Sequence, residues 1–503
     1  MINNVLFIQP FEFFKKQLSD KILIWSIYLE NFIKSKMKSL NFELLYLPIE
    51  QKIGNFESNC ITDRRMFRKQ MENLINDIPF ELDNKTLICI SGTTSNQFIP
   101  SKVLSEYFQE NYKDVIIVFG GSHASSCPKD FHYKGSPIDY IIIGEGEKGL
   151  YNLLKKNIKK QKTPKTIISK PINNLDDLPP LDFTLFDGYV SEFDLLGISL
   201  SRGCPFNCNF CMEKYLSKNT EQRRWRSYSP KRAIKEIETM LHYGNKNNID
   251  EFGFYDPIFG LQKKWLDKVL NLFNFKNYKS IWLETRLDIL NFNLLKKLQE
   301  KKFYLMYGLE TFSKKLLQIM NKTNNPKRYY DKFNDIFEAN KKLEYPYMLN
   351  ILFNHPGESM ESINITFNKL NELKNNDKNA LVNYNIKLYS HFPGTYNYNK
   401  IYKFMNELGT INYIPKWWKK RKFLKYGSFC IRPTKKLSLR TSLSEYFEKL
   451  KSFEKSRISK DSKNSNKNFF KALKIKKGIQ VLEKKEEELF NFLDKNKIEI
   501  DEK

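Results

Sequence analysis

Ser201-Arg202-Gly203-Cys204-Pro205-Phe206-Asn207-Cys208-Asn209-Phe210-Cys211 is the stretch on which the reading of this chain turns. Its cysteines are spaced C-x-x-x-C-x-x-C, and the apolar residues 195–200 before them read as a buried strand. Three thiolates on one short loop can hold three irons of a cubane cluster. The fourth iron then lacks a protein ligand and is open to a substrate or cosubstrate. A zinc site wants four ligands, and no fourth Cys or His lies nearby in sequence. Buried free thiols would need neither this spacing nor the Gly and Pro around it.

Working outward, short apolar runs alternate with helical periods on both sides of the loop. After it, strands are expected at 197–200, 251–255, 280–284, 303–307, 348–353 and 384–389, with amphipathic helices between them, for instance 230–242 and 264–272. Six strand–helix units predict a partial (β/α)6 TIM-type barrel whose site lies at the strands' carboxyl ends. Before the loop, strands are expected at 4–10, 42–48, 86–91, 115–119 and 140–143. Helices are expected at 13–40, at 62–78, from Pro100, and from the end of Gly144-Glu145-Gly146-Glu147 to about 160. That pattern predicts an α/β, doubly wound, Rossmann-like parallel sheet, with ligands at its strand ends. The chain thus divides into 1–165, a Pro/Asp linker at 166–190, the barrel at 191–400, and a mainly helical region at 401–503. Residues 455–468, rich in Lys, Ser and Asn, read as an exposed loop.

Composition narrows the class. At 503 residues with 41% hydrophobic residues, the chain can build two or three cored domains. No apolar run reaches the ~18–20 residues of a membrane span, and residues 5–8 open a strand rather than a leader, so the cytoplasm is expected. Cys60, Cys89, Cys127 and Cys430 are scattered, and too few lie near the C-terminus for a second, auxiliary cluster of four cysteines; Cys89 and Cys127 read as small core residues. The net charge of +27 comes mostly from lysines spread along the chain without an arginine patch. This argues against nucleic acid as the substrate and leaves a general attraction to acidic partners.

The triplet resembles the signature of radical S-adenosylmethionine (SAM) enzymes, with Phe210 at the aromatic position before the last cysteine. The resemblance implies a [4Fe-4S] cluster on Cys204, Cys208 and Cys211 whose open iron chelates SAM. It also implies reductive cleavage to a 5′-deoxyadenosyl radical, and an electron donor such as flavodoxin or ferredoxin. The whole layout, over about 400 residues, resembles the subgroup with an N-terminal cobalamin-binding-type domain. The matching pieces are Gly120-Gly121-Ser122-His123-Ala124 and Ile138 to Glu147 in the first domain, and the Leu175 to Asp182 linker. In the barrel they are Phe254 to Phe259, Arg286 in Glu-Thr-Arg-Leu-Asp, Gly308-Leu309-Glu310, Pro356-Gly357-Glu358 and Pro393-Gly394-Thr395.

Roles follow as implications of that likeness. Glu310 suits the SAM ribose or ammonium and Arg286 its carboxylate, with a structural ion pair as the other reading of Arg286. Phe210 could pack on the adenine or simply in the core. Asp256 could bind SAM or polarise the substrate, or cap the following turn. Gly308 belongs to the SAM site, and Ser91, Thr93, Gly120 and Gly121 sit where a cobalamin nucleotide tail would lie. Asn354-His355 stand where Gly and an apolar residue usually precede Pro-Gly-Glu, so His355 either faces the site or is structural. Asp-x-His-x-x-Gly, which supplies cobalamin's lower ligand elsewhere, does not follow Pro10. Asp130-Phe131-His132-Tyr133-Lys134-Gly135 fits the pattern in the wrong part of the sheet. Cobalamin held without a protein histidine is therefore expected, the alternative being a first domain that binds nothing.

The implied reaction is methylation of an unactivated carbon in a small-molecule or peptide substrate. The rivals are a radical cyclisation or rearrangement, or a non-catalytic protein that keeps the fold. A tRNA methylthiolating enzyme would carry cluster cysteines in residues 1–165 at a spacing absent here. Trp417-Trp418 and the basic run at 419–422 either grip substrate or pack on the barrel.

Overall fold

The structure is a computed structural model. It describes residues 1–11, 13, 24–213, 225–377, 379, 381–461 and 466–499, and side chains outside 457–475. Two parallel sheets organise it. The first has strands β1 (Asn4–Gln9), β2 (Asn41–Tyr46), β3 (Thr86–Ser91), β4 (Ile116–Gly120), β5 (Tyr140–Ile143) and β6 (Lys165–Ile168), in the order β2-β1-β3-β4-β5-β6. All five pairings are parallel, and the order reverses between β1 and β3, as in doubly wound folds. Every residue of β3 is buried, because helices cover both faces.

The second sheet comprises β7 (Leu195–Ile198), β10 (Glu251–Phe254), β11 (Ser280–Thr285), β12 (Phe303–Glu310), β13 (Tyr347–Phe353) and β14 (Val382–Leu388), laid side by side in chain order and all parallel. This is the partial barrel, with β7 and β14 as free edges. Between β7 and β10, the ribbon β8 (Ser201–Arg202) and β9 (Arg226–Ser227) pinches the base of the cysteine-bearing stretch. Several of the connecting helices begin on side-chain caps. Ser229 caps Pro230–Lys246, and Ser359 with Ser362 forms a capping box on Met360–Asn376. A two-strand ribbon, β15 (Ile411–Asn412) with β16 (Ile431–Arg432), leads to the long helices Leu439–Asp461 and Asn466–Lys495.

Several expectations shift. The helix expected over 13–40 is described from Trp25 to Lys34, and 14–23 lie outside the described residues. The strand expected to reach Pro48 stops at Tyr46, because Pro48 instead occupies the first turn of the helix Leu47–Lys52, where its missing N–H costs nothing. The sixth strand, β6, was not foreseen. It runs into residues expected as linker, and its short, exposed edge lacks the apolar signal of a central strand. The loop expected at 455–468 is helix at 455–461 and again at 466–468, while 462–465 lie outside the described residues. A polar composition in that stretch matched an exposed helix as well as a loop.

Candidate active site at the cysteine loop

The loop leaves β8 through Gly203, whose φ of +79° suits glycine. Backbone and amide groups then stitch it to distant segments. Asn209 donates from its N–H to Met320 O and from Nδ2 to Ile319 O, and Asn397 N–H donates to Asn209 O. Asn321 Nδ2 donates to Asn207 O. Burial pushes the Cys204 thiol up to about 11 and the Cys211 thiol higher still. Such thiols become thiolates when a cation takes the proton's place. Among the described residues no three His, Cys, Asp or Glu groups converge on one ion. A cubane needs no such convergence, since each thiolate serves its own iron.

Arg286, at the end of β11, has its Nη1 4.0 Å from Cys208 Sγ. Asp288 holds the same guanidinium by two 2.9 Å bonds, and Lys322 O accepts a third at 3.0 Å. The Phe206 ring lies 3.8 Å beneath it. Its partner in the fold is therefore Asp288, and one edge remains turned to the cysteine loop. Glu310 ends β12 with φ +74° beyond a bulge and pairs at 2.8 Å with Lys322 Nζ, both side chains buried. A Cβ on Gly308 would lie 2.7 Å from Glu310 Oε1 and 2.9 Å from Lys322 Nζ, so the pair packs directly against the glycine. Lys322 also lies 5.9 Å from the Phe210 ring. Lys322 escaped the sequence reading because nothing local marks it.

Asp256 turns its carboxylate back to the start of the loop. Leu200 N–H donates to Oδ2 at 3.1 Å, and the Ser201 hydroxyl donates to Oδ1. Burial pushes its pKa up to about 7, with those bonds opposing. Asp256→Ala is expected to cost about 2–4 kcal/mol, because it strands two buried donors, and to lower retained iron. Because the folded pKa is raised, the contribution of the group to stability is present below about pH 4 and is lost as pH rises through 7. Urea midpoints at pH 5 and pH 8 should therefore differ less in Asp256→Asn than in wild type; an unchanged difference would refute this.

His355 is buried and neutral, its pKa lowered by burial to about 4. Nδ1 bonds Pro356 O at 2.7 Å, and Nε2 receives Asn397 Nδ2 at 2.9 Å. Its ring stands edge-on to Phe210, with centroids 6.1 Å apart. Asn397 also reaches Tyr389 Oη, which bonds His391 Nδ1 at 3.0 Å. His391, which the sequence reading did not single out, thus extends this buried network.

Ser91, Thr93, Gly120 and Gly121 come together in one cavity of about 480 Å³ between the carboxyl ends of β3–β5 and the segment preceding the cysteines. Its depth is apolar, with Ile90, Val118, Ile142 and Leu150, and its rim carries hydroxyls and glycine backbone. Arg202, two residues before Cys204, closes one side. It pairs with Glu147 at 2.8 Å and Glu145 at 3.2 Å and lies over the Tyr28 ring. Arg226 takes the other oxygen of Glu145 at 2.5 Å. Although burial works against it, the two arginines hold the Glu145 carboxyl below its usual range. No histidine lines the cavity among the described residues. His132 sits away from it, 3.4 Å from Thr166 Oγ1, and Asp130 is held by Trp418 and Lys419.

Residues 198–370 match the family model described as the Radical SAM superfamily. This part of the chain is a radical SAM domain. The chain is 26% identical over 302 residues to an uncharacterised methyltransferase of Pyrococcus horikoshii, covering 56% of this chain and 62% of that one. Two solved structures share the fold. One is the cobalamin-dependent S-adenosylmethionine radical enzyme OxsB with aqua-cobalamin bound (TM-score 0.65, 15% identity, covering 95% of this chain and 71% of that one). The other is the radical S-adenosylmethionine methyltransferase TsrM of Kitasatospora setae with cobalamin and a [4Fe-4S] cluster bound (TM-score 0.56, 13% identity, covering 79% and 77%).

Beyond the radical SAM domain, the C-terminal region packs rather than projects. Trp417 is fully buried and donates to His391 O, and Trp418 donates to Asp130. Arg421, in the basic run, reaches Asn59 Oδ1. The last segment therefore ties the radical SAM domain to the first sheet. Among the described residues no helix is long and apolar enough to cross a membrane.

Proposed function

We propose that this chain is a radical SAM enzyme that methylates an unactivated carbon with the help of cobalamin. The observation that carries the reading is the cavity whose wall is continuous with the cysteine loop. The three thiols fit a [4Fe-4S] cluster, and the apolar slot with its glycine rim fits the flat tail of a cobalamin bound without a protein histidine. When bound, the cluster supplies one electron to the SAM sulfonium, and cobalamin supplies a carrier for the methyl group.

The chain's own residues orient and insulate. Arg286, already neutralised by Asp288, presents its remaining edge to the SAM carboxylate. Glu310, with Lys322, accepts from the ribose or ammonium, and Phe210 flanks the adenine. Asp256 positions the loop rather than touching substrate. Arg202, gripped by Glu145 and Glu147, keeps the cysteine loop against the cavity. An electron donor such as flavodoxin or ferredoxin completes the system.

The test is anaerobic reconstitution with SAM carrying a deuterated methyl group. Expected are 5′-deoxyadenosine and a product that gains the labelled methyl; a product that lost hydrogen without gaining the label would favour cyclisation, and no 5′-deoxyadenosine would refute the reading. Gly121→Ala probes the cavity separately. Its φ is +92°, and a Cβ would sit 2.7 Å from Gly92 O. Cobalamin affinity is expected to fall by about tenfold or more while iron content holds. Undiminished co-elution of cobalamin would count against the site, and Gly188→Ala, with open space around it, serves as the control.

A further inference from the structure

Asn354 and His355, which stand where Gly and an apolar residue usually precede Pro-Gly-Glu, are both fully buried. An apolar side chain would fill such a space with no polar group to satisfy. A buried amide or imidazole costs free energy unless it is hydrogen-bonded. Asn354 adopts a positive φ, +62°, of the kind a glycine would supply, and its Nδ2 donates to Phe429 O at 2.9 Å. His355 carries its proton on Nδ1, because that nitrogen faces Pro356 O, and Nε2 is left as an acceptor. Asn397 Nδ2 supplies the donor. Two directional bonds on opposite sides of one ring fix its plane, which packing of an apolar residue would not do.

Asn397 holds more than this ring. It lies in the turn after β14, where Thr395 caps the short helix Tyr396–Asn399. Gly394, at φ +84°, stands directly against Ser126 of the first domain, so the turn is anchored independently of the cysteine loop. The two Nδ2 hydrogens of Asn397 go to His355 Nε2 at 2.9 Å and Tyr389 Oη at 3.3 Å. Its own N–H donates to Asn209 O at 3.1 Å. The next residue along the loop is Phe210, and the His355 ring meets it edge-on, at 88° with centroids 6.1 Å apart. One buried asparagine therefore grips two consecutive residues immediately before Cys211, Asn209 by its backbone and Phe210 through His355.

We propose that Asn397 is a positioning residue for SAM, setting the Phe210 ring through His355 and the loop backbone through its own N–H. A ring placed in advance leaves less ordering for the cosubstrate to impose, so the contribution appears in affinity. That Phe210 flanks the adenine rests on the radical SAM reading; the hold on Asn209 and Phe210 does not.

The test is SAM binding to anaerobically reconstituted protein without reductant, by equilibrium dialysis, beside iron and sulfide content. Asn397→Leu keeps the backbone bond to Asn209 but leaves His355 Nε2 without its donor. His355→Leu removes the ring and leaves Asn397 its bond to Tyr389. Each is expected to weaken SAM binding about tenfold with iron content and cluster absorbance as in wild type. The double change should weaken it no more than His355→Leu alone, because the two residues act in series. Asn340→Leu is the control: Asn340 is equally buried, and its Nδ2 bonds Ile336 O within the helix Pro326–Lys342. Wild-type affinity in either single variant, additive losses in the double, or an equal loss in Asn340→Leu would each overturn the assignment. So would iron lost in step with affinity, which marks a purely structural residue. No SAM binding by wild type would overturn the radical SAM reading, and the assignment with it.

Discussion

Cys208→Ala is expected to yield a reconstituted protein without an intact cluster, and 5′-deoxyadenosine formation at the level of a protein-free control. Each thiolate of the loop serves its own iron, so no neighbour can substitute for a missing one. Cys208 is also the sulfur nearest Arg286 Nη1, at 4.0 Å, so the change removes the guanidinium's link to the loop. Loss of one small buried side chain should lower stability by only about 1 kcal/mol, so far-ultraviolet circular dichroism stays that of wild type. Cys430→Ala makes the contrast. Cys430 is equally buried but bonds Tyr426 O in the C-terminal region, and its loss should leave iron content unchanged. A Cys208→Ala protein that retains full iron, sulfide and charge-transfer absorption would remove the basis of the cluster assignment.

Lys322→Met is expected to be the most destabilising change around the site, by about 3–5 kcal/mol. Lys322 and Glu310 are 6% and 7% exposed and 2.8 Å apart, packed against Gly308. Burial opposes the Lys322 charge and Glu310 more than restores it, so the lysine pKa lies above its ordinary value. Removing the ammonium leaves a carboxylate in a low-dielectric site. Glu310→Gln placed in the Lys322→Met background should recover much of the loss, because an amide needs no counter-charge. Urea unfolding of the four proteins of this cycle measures the coupling. Equal midpoints for wild type and Lys322→Met would show that the pair carries no stability.

Much of the architecture was legible because its signals are local. Apolar runs such as Leu87 to Ile90 and Ile141 to Ile143, bounded by Gly and polar residues, mark strands buried on both faces. Their carboxyl ends carry Gly120, Gly144, Asp256, Arg286 and Glu310, so candidate residues could be picked by position alone. Edge strand β6 was lost because it is exposed and carries no such run. Asp256 was legible as a site residue but not as a brace, since its partners Leu200 and Ser201 are more than fifty residues away. Lys322, His391 and the Arg202–Glu147 pair belong to the same class of omission.

By itself, then, the sequence determined the two sheets, their strand order of appearance and the spacing of three thiols, all properties of short-range pattern. Only the tertiary structure decided which charges neutralise each other and which space stays open. Arg286 meets Asp288, Glu310 meets Lys322, Arg202 joins the cysteine loop to the first sheet, and a cavity stays open between that sheet and the loop. The reason is physical. A strand's period is set by its own backbone, whereas an ion pair or a cavity depends on where segments far apart in the chain come to rest.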